Sequence, residues 1–437
     1  MTEPPAPAPP LPEEGDWSRL HPLTPLLRSG RFVAVVLAGL TQQGLRQPSL
    51  RTLGIALAVV VPAALLLGYL SWRVTRYRLT PTELQVDSGV LQRRNRRVPL
   101  ARLQSVDVVR PLLARALGLA ELRLEVAGGG DTEAPLAYLS EQDAHRLRGR
   151  LLALAEGSAD PVVGAAEPEE AVLVSVPTGA LVTSVLLGGP AILLGLLLLA
   201  AVPVAVVEPR ALPGLLAALG PAAVGSGGLV VRRLLSEYGF TVAESPDGLR
   251  LRHGLLETRA QTIPLGRVQA VRVLEPLLWR RRGWVRVEVD VAGYQAGHGA
   301  EQQSTRALLP VAPRAFALAL AERVLGAPLP SAAVPAPRAA RLRAPLSARR
   351  LSVALDAGHL VATSGVLTTT TDVVPLAKVQ SLRLVQGPWQ RRLGLASLYV
   401  DSAGRRLPGA VARHRAADEA DALLADLTGR VRLARRR

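Results

Sequence analysis

The sequence predicts an α+β protein with transmembrane helices, in which three small β-barrels, each closed by a C-terminal helix, stand beside about four membrane helices. Three observations predict this class. One motif recurs three times in fixed register, several segments are long and uncharged, and each copy of the motif contains short alternating apolar runs before an amphipathic helix. A strongly bent sheet covered by a helix leaves few unpaired backbone groups at its edges.

The repeated motif is counted from one proline in each copy. A glycine stands ten residues before that proline, and glutamine, arginine and a second glycine follow it after five, sixteen and nineteen residues. Three copies in one register indicate that one fold is present three times. The matched residues are Gly89, Pro99, Gln104, Arg115 and Gly118 in repeat 1, Gly254, Pro264, Gln269, Arg280 and Gly283 in repeat 2, and Gly365, Pro375, Gln380, Arg391 and Gly394 in repeat 3.

Composition narrows the class of protein. With 437 residues the chain has room for about three domains. It has no cysteine, and its six histidines show no ligand spacing, so we predict neither a metal site nor a cofactor. The net charge of +17 suggests an anionic partner, either a phospholipid surface or a nucleic acid.

Long uncharged segments predict the membrane helices. Residues 52–72, 181–207 and 211–231 are each long enough to cross, and the last two form a helical hairpin. Residues 32–45 reach only about 21 Å, less than the roughly 30 Å of hydrocarbon, so the sequence leaves open whether they span. Arginines beside the spans are more numerous on the domain side than on the opposite side, which favours cytoplasmic domains.

These segments and repeats predict an order of domains. The chain begins with a disordered tail (1–25) and a transmembrane hairpin whose first half is weak (26–72). Then follow repeat 1 (73–156), a linker (157–178), a second hairpin (179–233), repeat 2 (234–327), an Ala/Pro/Arg linker (328–350), repeat 3 (351–430) and a basic tail (431–437).

Five short segments of repeat 1 resemble a known family: residues 77–80 (YRLT), 89–91 (GVL), 98–100 (VPL), 103–106 (LQSV) and 117–119 (LGL). The pattern resembles the bacterial pleckstrin-homology (PH)-like domain, and three such units among membrane segments resemble the YdbT-like multi-repeat membrane proteins. The resemblance implies PH-like barrel-and-helix domains in the bacterial plasma membrane. It also implies a hetero-oligomer with a shorter membrane protein that carries a single PH-like domain. Repeat 3 departs most, since its second proline falls one place late, at Pro388.

Arginines in the first two repeats are candidate contacts for anionic phospholipid. Each arginine near an anionic membrane surface contributes about 1 kcal/mol to binding. The alternative is a solvated turn in an arginine-rich protein. Repeat 1 has the densest cluster, repeat 2 has weaker equivalents, and repeat 3 has a run of threonines instead. The candidates are Arg93, Arg94, Arg96, Arg97, Arg250, Arg252 and Arg259.

The matched positions have structural interpretations as well. The shared arginine is either a phosphate ligand or a residue whose stem covers the core while its head bonds locally. The second interpretation is favoured because copying a fold also copies its packing. We expect the matched glutamines to bond backbone groups at a strand edge. The matched glycines are expected to serve turns that need positive φ or close approach.

We predict a non-enzymatic integral membrane scaffold that presents three cytoplasmic PH-like domains to protein partners or to the anionic lipid surface. The sequence contains neither a phosphate-binding loop nor a nucleophile elbow. One alternative is a subunit of a transport or lipid-handling complex, although the predicted spans contain no ionisable group. The other is a membrane-tethered nucleic-acid-binding protein, which is disfavoured because stacking aromatics are nearly missing, so no nucleic acid is expected as a partner.

Overall fold

A computed structural model describes residues 17–24, 50–89, 93–126, 134–155, 171–245, 248–292, 307–330, 332–403 and 409–436. The chain divides into two compact units. Unit 1 covers Met1–Glu167 and Glu257–Gln261, and unit 2 covers Pro168–Leu256 and Thr262–Arg437. Repeat 1 therefore lies in unit 1, and repeat 3 with most of repeat 2 lies in unit 2.

Repeat 1 has two antiparallel sheets and a closing helix around one core. Leu84 of the first sheet, Leu122 of the second and Leu151 of the helix are fully buried together. The closing helix begins after Ser140, whose Oγ accepts from the Asp143 amide at 3.1 Å and so caps the helix. The elements are β1 (Ser18–Arg19), α1 (Leu50–Val74), β2 (Arg76–Leu79), β3 (Glu83–Ser88), β4 (Arg94–Pro99), β5 (Leu103–Pro111), α2 (Leu112–Ala116), β6 (Leu119–Val126), β7 (Ala134–Ser140) and α3 (Glu141–Ala155).

Repeat 2 has the same strand order, with three helices inserted after its first strand. Its core surrounds Trp279, which is 1% exposed and donates from Nε1 to the Ser184 carbonyl at 3.1 Å. The elements are β8 (Ala171–Ser175), α4 (Thr178–Leu186), α5 (Gly189–Val207), α6 (Leu212–Glu237), β9 (Thr241–Ser245), β10 (Gly248–His253), β11 (Glu257–Ile263), β12 (Val268–Pro276), β13 (Trp284–Val291), β14 (Ala307–Pro313) and α7 (Arg314–Leu325).

Repeat 3 follows the same plan, with a short helix in place of the inserted apolar helices. Leu360, Leu398 and Leu427 are fully buried in its core, one from each sheet and one from the closing helix. The elements are β15 (Val334–Pro335), α8 (Ala340–Arg343), β16 (Ser352–Leu355), β17 (His359–Ser364), β18 (Thr368–Pro375), β19 (Val379–Val385), α9 (Pro388–Arg392), β20 (Leu395–Ser402), β21 (Ala410–Ala416) and α10 (Ala417–Ala434).

Strand pairing joins repeats instead of closing barrels. In unit 2 the strand order β14-β13-β12-β18-β17-β16-β15 forms one seven-stranded sheet from the second sheet of repeat 2 and the first sheet of repeat 3. Among the strands that the structure describes, no sheet closes on itself, so the predicted barrel closure is not found. The physical reason is that an edge strand can satisfy its backbone groups equally well with a neighbouring repeat.

The first strand of each repeat lies earlier than the sequence predicted. β1 pairs with β2, β8 pairs with β9, and β15 pairs with β16. The predicted starts at 73, 234 and 351 therefore each omit one strand of the first sheet. In repeats 1 and 2 the apolar helices are inserted between the first and second strands of the domain.

The predicted tail, residues 1–25, is ordered near its end. Ser18 pairs with Tyr77, and Leu20 is 3% exposed in the core of repeat 1. Trp72 Nε1 of α1 donates to the Leu20 carbonyl at 2.8 Å. Residues 17–24 are thus part of repeat 1, because they supply a core side chain and a strand. Residues 1–16 lie outside the described part of the chain.

Two described helices are long and apolar enough to cross a membrane, Gly189–Val207 and Pro213–Glu237, and Ala58–Val74 of α1 is a shorter apolar helix. The uncharged run from residue 181 is not a single span. It breaks at Gly188, and Leu181 and Val185 of α4 are buried in the core of repeat 2. The candidate span therefore begins at Gly189. Residues 32–45 lie outside the described part of the chain.

Candidate functional site

The predicted basic cluster of repeat 1 lies on and just before β4, the edge strand of the first sheet. Since side chains alternate along a strand, Arg97 lies on the face opposite the buried Val98, whereas Arg94 and Arg96 share the face of Val98. The cluster is thus divided between two faces, and only part of it can meet a flat surface at once. Arg96 is half-buried, and the exposed members are Arg93, Arg94 and Arg97.

Two arginines of β2 extend the exposed face that Arg97 occupies. Cross-strand register puts Arg78 and Arg97 on either side of Gln85. The guanidinium carbons of Arg76 and Arg78 lie over the Trp17 ring, 4.3 and 5.0 Å from its centroid. We call Arg76, Arg78 and Arg97 the basic face. Arg76 and Arg78 are not among the predicted lipid contacts, although their spacing of two in a strand places them on one face.

The predicted lipid contacts of repeat 2 are not on an exposed face. Arg250 of β10 is only 5% exposed, so the prediction that it contacts lipid is wrong. The strand is buried on both faces, because Leu249 and Leu251 flank Arg250 and are buried too. Arg252 is half-buried, and Arg259 donates to Glu257 at 3.0 Å. The number of arginines suggested an exposed basic surface, but the position of β10 within the sheet determines that Arg250 is buried.

A shared register connects the fifth strand of one repeat (β5, β12) to the fourth strand of the next (β11, β18). In unit 1, Pro111 of β5 faces Glu257. In unit 2, Pro276 of β12 faces Thr368. Both pairings place the residue twelve after one matched proline opposite the residue seven before the next. We call each of these two pairings a junction.

The matched arginine donates a hydrogen bond across each junction. Arg115 donates to Oγ1 of Thr258 at 3.1 Å, and Arg280 donates to Oγ1 of Thr369 at 2.7 Å. Both threonines stand six residues before the matched proline of their own repeat. The matched arginine therefore has a structural role in the first two repeats, which supports local bonding over a phosphate ligand.

A buried ion pair adds to the junction in unit 2. Arg272 Nε lies 2.5 Å from Asp372 Oδ1, and both side chains are mostly buried. Arg272 is the eighth residue after its matched proline, and Asp372 is the third before the next. The two residues face each other in the strand register. Two side chains of β18 thus define the junction in unit 2. Thr369 accepts from the matched arginine, Arg280, and Asp372 faces Arg272.

The fifth strand of repeat 3 has an open edge. β19 is an edge strand that pairs with β20 on one side, and the described part of the chain has no fourth strand on the other. The side-chain exposure along β19 is consistent with this open edge. Val109 of β5 is 2% exposed, whereas Val385, at the corresponding position of β19, is 42% exposed. Arg391, the matched arginine, is exposed on α9 beside this edge.

Gln390 holds α9 in place beside the open edge. Its Oε1 accepts from the Gly387 amide at 3.0 Å, and its Nε2 donates to Ser397 Oγ at 2.8 Å. The same Nε2 lies 2.9 Å from His414 Nδ1, which must therefore be the acceptor. A neutral His414 is thus part of the support for the helix that carries Arg391.

Acidification is expected to loosen α9. Burial lowers the pKa of His414, and the nearby Arg343 and Arg413 lower it further. Because the folded pKa is below the unfolded value of about 6.5, the stabilisation is complete above pH 6.5 and is lost as the pH falls through the folded pKa. Amide exchange of residues 389–392, within the helix Pro388–Arg392, should therefore accelerate between pH 7.5 and 5.5, after correction for intrinsic exchange.

His414→Asn is the matched control for this pH effect. His414 has a φ of 53°, which asparagine tolerates, and the asparagine oxygen can accept from Gln390 without titrating. His359 has a pKa lowered by burial as well, so it would act in the same direction in both proteins. An unchanged pH response in the asparagine variant would show that His414 does not support α9.

The remaining matched residues have equivalent geometry in every repeat. The first glycines have φ values of 104°, 108° and 105°, and the second glycines 66°, 62° and 61°, in repeats 1, 2 and 3 respectively. A Cβ on Gly365 would lie 1.9 Å from the Thr368 carbonyl oxygen, so no other residue fits there. Each matched proline directly precedes a 3₁₀ turn.

The matched glutamines do not share one bonding pattern. Gln269 is 5% exposed and donates to the Arg267 carbonyl at 3.1 Å, so it bonds backbone as expected. Gln380 is exposed at the open edge of β19. Gln104 lies in β5, and its side chain is outside the described part of the structure.

Comparison with known protein families agrees with the repeat. The bacterial PH domain family matches residues 32–155, 172–328 and 315–431, which is more than half of the chain. The chain belongs to the bacterial PH domain family. A curated relative is the UPF0699 transmembrane protein YdbT of Bacillus subtilis (strain 168), which is 28% identical over 95 residues. That match covers 22% of this chain and 19% of the relative, so the chain spans about a fifth of the length of the relative.

Proposed function

We propose that this PH-domain protein is a non-enzymatic integral membrane scaffold that joins PH-like domains edge to edge. The observation that supports this best is the common register of the two junctions. The same pairing, with the same arginine-to-threonine bond, occurs twice within one chain. A protein built from such repeated contacts presents large surfaces and a defined order of domains, which suits a scaffold.

The membrane part of the proposal rests on apolar exposure. α5 has no buried residue, and Leu196, Leu199 and Val207 are each more than half exposed. Side chains of this kind need a lipid environment. We propose a multi-pass protein of the bacterial plasma membrane with about four spans and cytoplasmic PH-like domains, as the arginine distribution predicts. A shorter membrane protein with one PH-like domain is the proposed hetero-oligomeric partner.

Repeat 1 supplies the proposed contact with anionic lipid. The basic face begins two residues after α1 ends, so its arginines are close to the point where the chain would leave the bilayer. Trp17 on the same face is amphipathic and suits the membrane interface. Together with Arg93 this face offers a concentrated positive charge to phospholipid headgroups.

The lipid contact can be tested in the full chain, because the protein has no cysteine and a single introduced one is unique. Asn95→Cys, labelled with an environment-sensitive fluorophore, is placed in nanodiscs of phosphatidylcholine with or without phosphatidylglycerol. We expect a blue shift only with the anionic lipid. Replacing Arg93, Arg94, Arg96 and Arg97 by Gln leaves Arg76 and Arg78 in place, so it should reduce the shift strongly.

A charge-matched variant controls for the change in net charge. Arg341, Arg343, Arg349 and Arg392 of repeat 3 are exposed, and replacing them by Gln removes the same four charges. This control should retain the full blue shift. An equal shift in both lipids, or equal loss in both quadruple variants, would show that repeat 1 makes no specific contact with anionic lipid.

A further inference from the structure

The open edge of β19 has the features of a junction that lacks its second strand. Position by position, β19 repeats β12: Arg383 corresponds to Arg272, and Arg391 corresponds to Arg280. In repeat 2 these two arginines bond to Asp372 and to a threonine of the next fourth strand. In repeat 3 no following repeat exists within the described chain to supply such residues.

The charges at this edge are arranged as if a partner were absent. Arg272 reaches across its junction, but Arg383 turns back to Asp401 of its own repeat, at 2.8 Å. The Arg383 and Asp401 side chains are 60% and 33% exposed, against 13% and 14% for Arg272 and Asp372. Arg435 donates to the carbonyl of Val379, the first residue of this strand. The later residues, which pair in the other junctions, are left open.

We infer that β19 accepts the fourth strand of a PH-like domain from another polypeptide. The partner strand lies antiparallel in the register of the two existing junctions. It carries an acidic residue three positions before its proline, facing Arg383, and a serine or threonine six positions before it, accepting from Arg391. This inference deepens the proposed function, on which it rests, by naming the edge, the register and the partner residues.

A second copy of this chain does not fit the site. Among the strands that the structure describes, the fourth strand without a second neighbour is β4, the edge of the first sheet of repeat 1. There the residues three and six before the matched proline are Arg96 and Arg93. They would place positive charge opposite Arg383 and Arg391. Like charges directly opposite in a sheet destabilise the pair, so the edge selects against self-association through this contact.

The inference can be tested with a strand whose sequence already works in this chain. The probe is a copy of residues 366–376, which holds the threonine and the aspartate at the required positions, attached after Arg437. A Gly/Ser linker of about 20 residues has a root-mean-square span of about 25 Å, enough to reach the far end of β19. Leu384→Cys in β19 and Thr371→Cys in the probe then report pairing by disulfide formation.

We expect at least fivefold more disulfide with this pair than with Thr370→Cys in the probe, which is one residue out of register. Thr369→Arg and Asp372→Arg in the probe copy the residues of β4 and should reduce the disulfide at least fivefold. Arg383→Glu should restore pairing of the probe that carries Asp372→Arg alone. Equal disulfide yields in both registers, or no response to charge reversal, would overturn the inference.

A gain of self-association is the second measurement. Arg93→Thr, Arg96→Asp and Arg97→Val give β4 the residues that β18 has at the same three positions. We expect this triple variant to associate head to tail in detergent, with a mass by light scattering that rises with concentration above that of the unchanged chain. An unchanged mass up to about 100 µM would contradict the register rule. Neither readout involves lipid, so failure here and failure of the lipid contact are distinguishable.

Discussion

Replacing Glu237 by Gln is expected to destabilise repeat 2 by about 3–5 kcal/mol. Glu237 ends α6 and is 2% exposed. Its carboxylate accepts from Arg286 at 2.5 Å and from Arg233 at 3.1 Å. Removing one member of a buried ion pair is costly because the other charge stays buried without its partner. The substitution would therefore weaken the connection between α6 and the second sheet of repeat 2.

Arg286 remains charged in this environment, which makes the loss of Glu237 severe. Burial by itself would lower the pKa of Arg286, but Glu237 and then Glu288 raise it above its ordinary value. Glu288 Oε1 lies 2.9 Å from Arg286 Nε and would remain in the variant. One carboxylate would then face the two guanidinium groups that two carboxylates now neutralise.

Amide hydrogen exchange of Trp284–Val291 measures this effect locally. A loss of 3 kcal/mol corresponds to about 100-fold faster exchange through local opening. Glu244→Gln is the matched control, because its partner Arg323 is 51% exposed and Glu244 is 41% exposed. An exposed pair of this kind contributes about 0–1 kcal/mol. Similar exchange rates in the two variants would show that the buried network does not stabilise repeat 2.

Local patterns were sufficient to predict the repeat itself. The glycines at fixed spacing needed positive φ in every copy, and all six have it. The start of α3 is marked just as locally, by Ser140 with an acid three residues later, and the capping bond is present. Such features depend on residues close in sequence, so they can be predicted without knowledge of the tertiary structure.

Features that depend on distant partners were not predictable from the sequence. The alternation in β12 is the same whether its neighbour is β18 or another strand of its own repeat, so the junctions were missed. β1 has two residues, too few to show any periodicity. The uncharged run around Gly188 hides the change from core to span, because a protein core and a bilayer select the same apolar residues. Arg250 was misplaced because composition does not reveal which strand is central.

Replacing Asp372 by Asn is expected to weaken the junction in unit 2 by about 3 kcal/mol, because Arg272 would keep its charge in a mostly buried site. Burial raises the pKa of Asp372 in spite of the opposing hydrogen bond and charge of Arg272. The desolvation of the carboxylate therefore outweighs its attraction to the guanidinium. Because burying two charges costs about as much as their attraction returns, we expect the pair as a whole to add little to stability, although breaking it is costly.

The double variant Arg272→Leu with Asp372→Leu distinguishes the small net contribution of the ion pair from the large cost of breaking it. Because both charges are removed together, we expect the junction to be as stable as in the unchanged chain, or more stable. Amide exchange of Thr368–Pro375 should accelerate about 100-fold in Asp372→Asn and return to the original rate in the double variant. Asp401→Asn breaks the exposed pair that Arg383 forms within its own repeat and should leave the exchange of Leu395–Ser402 unchanged. A double variant as unstable as Asp372→Asn would mean that the ion pair itself holds the two repeats together. In that case a partner strand at β19 would need the acidic residue that faces Arg383 for affinity and not only for specificity.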